Sequence, residues 1–133
     1  MKFLLDTNIC IYIANEKPPS VRERMDRTNP MDLAVSSITL AELHFGVAKS
    51  ARPEQNKRRI EVFLERIAVL DFTPKDAQTY GTLRASLEHR GEIIGGNDLL
   101  IAAQALERNL ILVTNNEREF RRIKQLKIEN WAS

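Results

Sequence analysis

Residues 98–113 constrain this chain more than any other stretch. Leu99, Leu100, Ile101, Ala102, Ala103, Ala105 and Leu106 cover a helix almost all round, which leaves it no solvent face. Leu110-Ile111-Leu112-Val113 follows directly, an unbroken apolar run of the kind a central parallel strand shows when both its faces are covered. A helix and a strand that both lack a wet side need further layers around them.

The rest of the chain supplies those layers by alternating strand and helix patterns. Residues 2–5 form a short apolar strand, a helix follows from about Asn8, and a second covers about Ser20 to Arg27. Residues 33–36 read as a strand, and a helix runs from near Thr39 to near Ala48. Pro53 opens the next helix, where proline is well tolerated, and Ile60, Phe63, Leu64 and Ile67 give it one apolar stripe. Residues 69–72 read as a strand. Pro74 opens a helix with Ala77, Tyr80, Leu83 and Leu87 inward and Gly91 as its stop. A short helix over 117–123 and a last strand near Ile128 complete the pattern, an α/β fold with a parallel sheet covered on both faces.

The 133 residues fit one domain, 1–133, and no repeat or low-complexity tract divides them. Hydrophobic residues make up 43% and charged residues 29%, which excludes a disordered chain. The only cysteine, Cys10, sits in an apolar run and reads as a small buried hydrophobe; no disulfide framework is available, so a cytoplasmic setting is expected. Asp6 stops the first apolar run too early for a signal-peptide core, and no segment approaches a membrane span. The net charge of +2 decides little. Its distribution says more: Arg22, Arg24 and Arg27 cluster, as do Lys57, Arg58 and Arg59, and then Arg118, Arg121, Arg122 and Lys124. Each cluster reads either as a solvated helix face or as a set of phosphate contacts.

In a parallel sheet, ligands bind beyond the carboxyl ends of the strands, where the strand order reverses. Asp6-Thr7-Asn8 and Thr114-Asn115-Asn116 each follow an apolar strand directly. Glu42, Asp98 and Glu119 are the other candidate acids. Glu42 points away from the Leu40–Leu43–Val47 stripe, and Gly46 leaves room one turn further on the same face. Asp98 opens the helix that has almost no solvent face. Taken singly, each acid also reads as a cap: Asp6 on the first helix, Asp98 as a first-turn acid, and Thr39-x-x-Glu42 and Asn116-x-x-Glu119 as capping boxes. Taken together, clustered carboxylates repel one another unless a cation sits among them, and oxygen-only ligands suit Mg²⁺ or Mn²⁺. With one cysteine and two distant histidines, His44 and His89, a zinc site is poorly supplied, and neither phosphate-binding glycine motif is present.

Five stretches in order resemble the VapC toxins of the PIN-domain family: Phe3-Leu4-Leu5-Asp6-Thr7-Asn8, residues 36–43, Gly95-Gly96-Asn97-Asp98 with the helix after it, Leu112-Val113-Thr114-Asn115-Asn116, and Glu119-Phe120. The resemblance implies a three-layer α/β/α domain and an acidic triad of Asp6, Glu42 and Asp98 holding Mg²⁺ or Mn²⁺, with Asn8 and Thr114 in support. It implies cleavage of RNA phosphodiesters, leaving a 5′-phosphate and a 3′-hydroxyl. It also implies a VapB-type antitoxin partner and a toxin homodimer. Many members carry Asp where this chain has Asn116, which makes Glu119 the candidate fourth acid. Gly91-Glu92-Ile93-Ile94-Gly95 stands where similar toxins often read Gly-Arg-Pro-Ile-Gly. The opening Asp6-Thr7-Asn8-Ile9-Cys10-Ile11-Tyr12, the Thr114-Asn115-Asn116 triplet and Trp131 are similar to the enteric-type members that cut initiator tRNA(fMet) in its anticodon region.

Two other readings compete with the ribonuclease toxin. A non-enzymatic RNA- or protein-binding module would use the same carboxylates only as caps and would behave normally in chelator. A phosphoacceptor domain would want paired acids after the first strand and a lysine after a late one, and Thr114-Asn115-Asn116 brings none. For RNA contact the expected residues are Arg118, Arg121 and Arg122, at i, i+3 and i+4 on the last helix.

Overall fold

The apolar strand segments of the sequence all join one sheet. The computed structural model describes every residue from Met1 to Ser133. Strands β1 (Phe3–Leu5), β2 (Leu33–Ser36), β3 (Ala68–Leu70), β4 (Ile111–Val113) and β5 (Ile128–Glu129) pair in the order β3-β2-β1-β4-β5, all parallel. The helices between them are α1 (Thr7–Asn15), α2 (Pro19–Asp26), α3 (Ser37–Ala48), α4 (Pro53–Leu64), α5 (Pro74–His89), α6 (Gly96–Glu107) and α7 (Glu117–Phe120).

Successive side chains of a strand face opposite sides, and the two cores divide accordingly. Leu4, Ala34 and Leu112 share one core with Leu83 and Leu87 of α5 and with Leu99, Ile101, Ala102 and Ala105 of α6. Phe3, Leu5, Leu33, Val35 and Val113 share the other with Ile9 and Ile13 of α1, Val21 of α2, Leu43 and Val47 of α3 and Ile60 of α4. The result is three layers, α/β/α. A fully buried leucine contributes about 2 kcal/mol relative to an exposed one. A one-residue slip of β1 or β4 would swap the two sets between cores of different shape, so the register is strongly specified.

Several element boundaries differ from the sequence reading. The third strand is Ala68–Leu70, not 69–72, because the carbonyls of Leu70 and Asp71 turn to accept from Gln104 Nε2 at 3.3 and 3.1 Å. In α5 it is Asp76 that is buried, and Ala77 is exposed. The Asp76 carboxylate accepts from the Thr73 N–H at 2.8 Å and from Arg108 Nη2 at 3.1 Å, tying α5 to the end of α6. Burial alone would raise the Asp76 carboxyl, but the Thr73 N–H and the Arg108 guanidinium hold it below the usual aspartate value. The last helix stops at Phe120 instead of reaching Ile123. Gly91, at φ +70°, ends α5 as expected. No helix is long and apolar enough to cross a membrane.

Candidate active site

The strand order reverses at the β1–β4 pair, since β2 and β3 lie on one side and β5 on the other. The pairing Leu5↔Val113 continues into the Asp6 N–H, which donates to the Val113 carbonyl at 3.0 Å. Asp6 and Thr114 therefore leave the sheet side by side at the switch point. Asp6 is the N-cap of α1, its Oδ1 accepting from the Ile9 N–H at 2.9 Å. It is both a cap and, at 3% exposure, a buried carboxylate.

The neighbouring strand delivers Glu42. β1 and β2 end in register, Leu5 opposite Val35, so α1 and α3 start next to each other. Ser36, not Thr39, caps α3, its Oγ accepting from the Ile38 N–H at 3.0 Å. The capping-box reading of Thr39 and Glu42 therefore fails, and both residues lie inside the helix. They share a face at i, i+3: Thr39 is fully buried and Glu42 half-buried. Thr7 Oγ1 donates to Glu42 Oε1 at 2.5 Å, and the second carboxylate oxygen has no hydrogen bond.

Asp98 and Glu119 close the other side. Asp98 stands in the first turn of α6, whose N-cap, Gly95, has no side chain to satisfy it. Glu119 reaches across to this entry: its Oε1 accepts from the Gly95 N–H at 2.9 Å and its Oε2 from Asn116 Nδ2 at 2.7 Å. The expected capping box at Asn116 is absent, because the Asn116 side chain makes no cap bond. Instead its amide holds Glu119 and its backbone N–H donates to Thr114 Oγ1 at 2.9 Å.

The electrostatics follow from this crowding. Burial pushes the Asp6 carboxyl up from 3.8 to about 6, with the Asp98 and Glu42 charges adding to the rise and the Thr114 hydroxyl and Ile9 N–H opposing it. Burial also raises Asp98, helped by Glu119 and Glu42 and opposed by Asn116. Glu119 is held below its usual value by the Gly95 N–H and by Asn116, against some burial. None of Asp6, Glu42, Asp98 and Glu119 forms a salt bridge.

Apart from Arg122, whose charge also helps to lower Glu119, no cation offsets the cluster, and its donors are all oxygen, the chemistry of Mg²⁺ or Mn²⁺. No three acidic, histidine or cysteine side chains already converge as a cage. That fits an ion that keeps several of its waters and needs only one or two carboxylates directly. A cleft of about 1070 Å³ between α2 and α4 lies elsewhere and contains none of the four acids.

The other residues expected from the sequence fare differently. Thr114 is fully buried beside Asp6. Asn8 is exposed and its side chain makes no hydrogen bond within the chain. Arg118, Arg121 and Arg122 do not share one helix face, because the helix ends before the last two. Arg121 pairs with Glu117 at 2.7 Å, whereas Arg122 donates to the Ile93 carbonyl and braces the loop before α6. The sequence marks Thr39 only as a cap and gives Thr7 no role of its own. Thr7 sits inside the polar triplet after β1, and its partner lies 35 residues on, which no local pattern shows.

Residues 3–126 match the PIN domain, and the chain belongs to that family. Within it, the chain stands among the VapC ribonucleases. It is 48% identical over 132 residues to "Ribonuclease VapC2" of Rickettsia felis, covering 98% of each chain. It is 47% identical to "tRNA(fMet)-specific endonuclease VapC" of Shigella flexneri, covering 99% of each. A crystal structure of DNA-bound VapBC from Salmonella typhimurium contains a chain of the same fold, with TM-score 0.93, 44% identity and 98% of each chain covered.

Proposed function

We propose that this chain is a divalent-metal-dependent endoribonuclease, the toxin of a toxin–antitoxin pair, with initiator tRNA(fMet) cut in its anticodon region as substrate. The observation that carries the reading is that Asp6, Glu42 and Asp98 lie near enough for their charges to act on one another, with Glu119 near Asp98, where the strand order reverses, and that no basic side chain is bound to any of them. The relatives named for tRNA(fMet) cleavage, at 47% and 44% identity, support the choice of substrate. A VapB-type antitoxin as partner is supported by the VapBC complexes among the similar structures. The toxin acts as a homodimer in the cytoplasm, and residues 1–133 act as one domain.

Asp6 and Asp98 hold Mg²⁺ or Mn²⁺, with Glu42 as a further ligand or as the orienter of the attacking water. When bound, the ion lowers the pKa of a water and neutralises charge growing on the phosphodiester. Glu42, with one oxygen committed to Thr7 and the other free, would offer that free oxygen to the ion or to a water it activates. Glu119 completes the acid set and keeps the entry to α6 in place through Gly95. Thr114 steadies the Asp6 carboxylate, Asn116 links Asp98 and Glu119, and Asn8, exposed two residues after Asp6, is a supporting polar group. Arg118, exposed and without a polar partner, and Arg121, in a surface pair that phosphate can displace, contact the RNA backbone.

The test is cleavage of a total tRNA pool by chain freed of any partner, in Mg²⁺, in Mn²⁺, in EDTA, and in Mn²⁺ with Asp98→Asn. Discrete cuts that need metal and vanish in the variant support the reading, and mapping the ends names the substrate. A folded chain that cuts nothing beside a working control nuclease gives the lead to a PIN-fold binding module.

A further inference from the structure

Thr7, the first residue of α1, lies in contact with a carboxylate from another helix. Its Oγ1 is 2.5 Å from Glu42 Oε1 and 3.2 Å from Thr39 Oγ1. A hydroxyl has one proton, and an ionised carboxylate can only accept. The Thr7 proton therefore goes to Glu42, at the short, charge-assisted end of the hydroxyl–carboxylate range. Thr39, fully buried, then donates to Thr7. The three form a directed chain, Thr39 to Thr7 to Glu42, with its fixed end inside the core.

The surroundings of Glu42 explain why such a chain is needed. Beyond it lies an open groove of about 240 Å³ lined by Gly46, Cys10, Ile60, Phe63 and Arg59. A side chain at Gly46 would meet nothing within 4 Å. A glutamate has several rotatable bonds and loses much freedom when held in one place. Released from Thr7, Glu42 has space to swing into, and Arg59 to turn towards.

We propose that Thr7 is a positioning residue of the reaction: its hydroxyl fixes one oxygen of Glu42 and so aims the other at the place where the ion or the attacking water sits. The inference rests on the nuclease reading above. One dipeptide, Asp6-Thr7, then serves two carboxylates: it carries the first and orients the second.

The experiment compares Thr7→Val, of the same shape but without a hydroxyl, with Thr7→Ser, Glu42→Ala and the Thr7→Val/Glu42→Ala pair, by single-turnover cleavage of tRNA in Mn²⁺. Losing a group that orients a site residue typically costs about 10- to 100-fold. The expected result is a loss of that size in the saturating single-turnover rate for Thr7→Val with the half-saturating concentration within about twofold, recovery by Thr7→Ser, and no further loss when Thr7→Val is added to Glu42→Ala. In the metal-free, RNA-free chain, the Thr7 hydroxyl proton should be visible by NMR as a slowly exchanging downfield signal that Glu42→Ala removes. If the parent cuts and Thr7→Val cuts equally well, or if the two losses simply multiply, the Thr7 role is overturned while the nuclease reading stands. A parent that cuts no RNA overturns both.

Discussion

Asp6→Asn should stabilise the metal-free protein while destroying its activity. The Asp6 carboxyl rises from 3.8 to about 6 because it is buried beside two other carboxylates. At about 1.4 kcal/mol per unit, keeping it ionised in the fold costs about 3 kcal/mol. Between those two values the folded chain holds a proton that the unfolded chain has released. Stability of the metal-free chain therefore falls as pH rises through that window and stays low above it. Asparagine caps a helix as well as aspartate does and carries no charge, so the bond to Ile9 survives. Burying its amide with incomplete partners takes back about 1 kcal/mol. The net gain is about 1–2 kcal/mol, or a rise in Tm of roughly 4–8 °C for a domain of this size. Thermal melts by circular dichroism in EDTA, at about pH 8 and about pH 4, measure it. The gain should be present at the higher pH and absent at the lower. An Asp6→Asn chain that melts lower than the parent at the higher pH would refute the picture of a charge buried at a cost.

Three further outcomes follow from the same geometry. Saturating Mn²⁺ should raise the melting temperature of the parent, as any ligand of the native state does, and should raise that of Asp98→Asn much less; equal rises would place the ion elsewhere. Arg118→Ala should flatten the salt dependence of RNA binding by about one phosphate's worth without altering Tm, whereas Arg122→Ala should lower Tm, because Arg122 braces Ile93; denaturation and filter-binding series separate the two. Arg108→Ala leaves the buried Asp76 without its cation and should cost about 2–4 kcal/mol near neutral pH; because the Asp76 carboxyl sits below its usual value, the parent's advantage should shrink in acid as that group protonates, and urea titrations across pH record it.

The sequence made the site legible where backbone register alone decides it. Strands that pair Leu5 with Val113 must leave Asp6 and Thr114 together, and both apolar runs and both polar triplets can be read directly. Glu42 was legible from helical periodicity, since it stands off the Leu40–Leu43–Val47 stripe, although the structure buries Thr39, on Glu42's own face, and leaves Leu40 half-buried. What stayed hidden depends on pairs distant in the chain. Thr7 meets Glu42, Gly95 meets Glu119, and Asp76 meets both Gln104 and Arg108 across separations of 24 to 35 residues. Local rules misplaced what those pairs control. Spacing alone suits Thr39 and Asn116 to capping boxes, yet Ser36 takes the first cap and Glu119 draws the Asn116 amide away from the second. The arginines at 118, 121 and 122 would share one face only on a helix that continued past Phe120.

The most direct test of the acidic cleft as an ion site used for cutting RNA is Mn²⁺ titration of the antitoxin-free chain by electron paramagnetic resonance, with tRNA cleavage followed in the same samples. The signal of free Mn²⁺ should disappear into the parent as cleavage appears, and both changes should be lost in Asp6→Asn and Asp98→Asn. Mn²⁺ bound equally well by those variants, or RNA cut at the parent's rate without bound ion, would contradict the account.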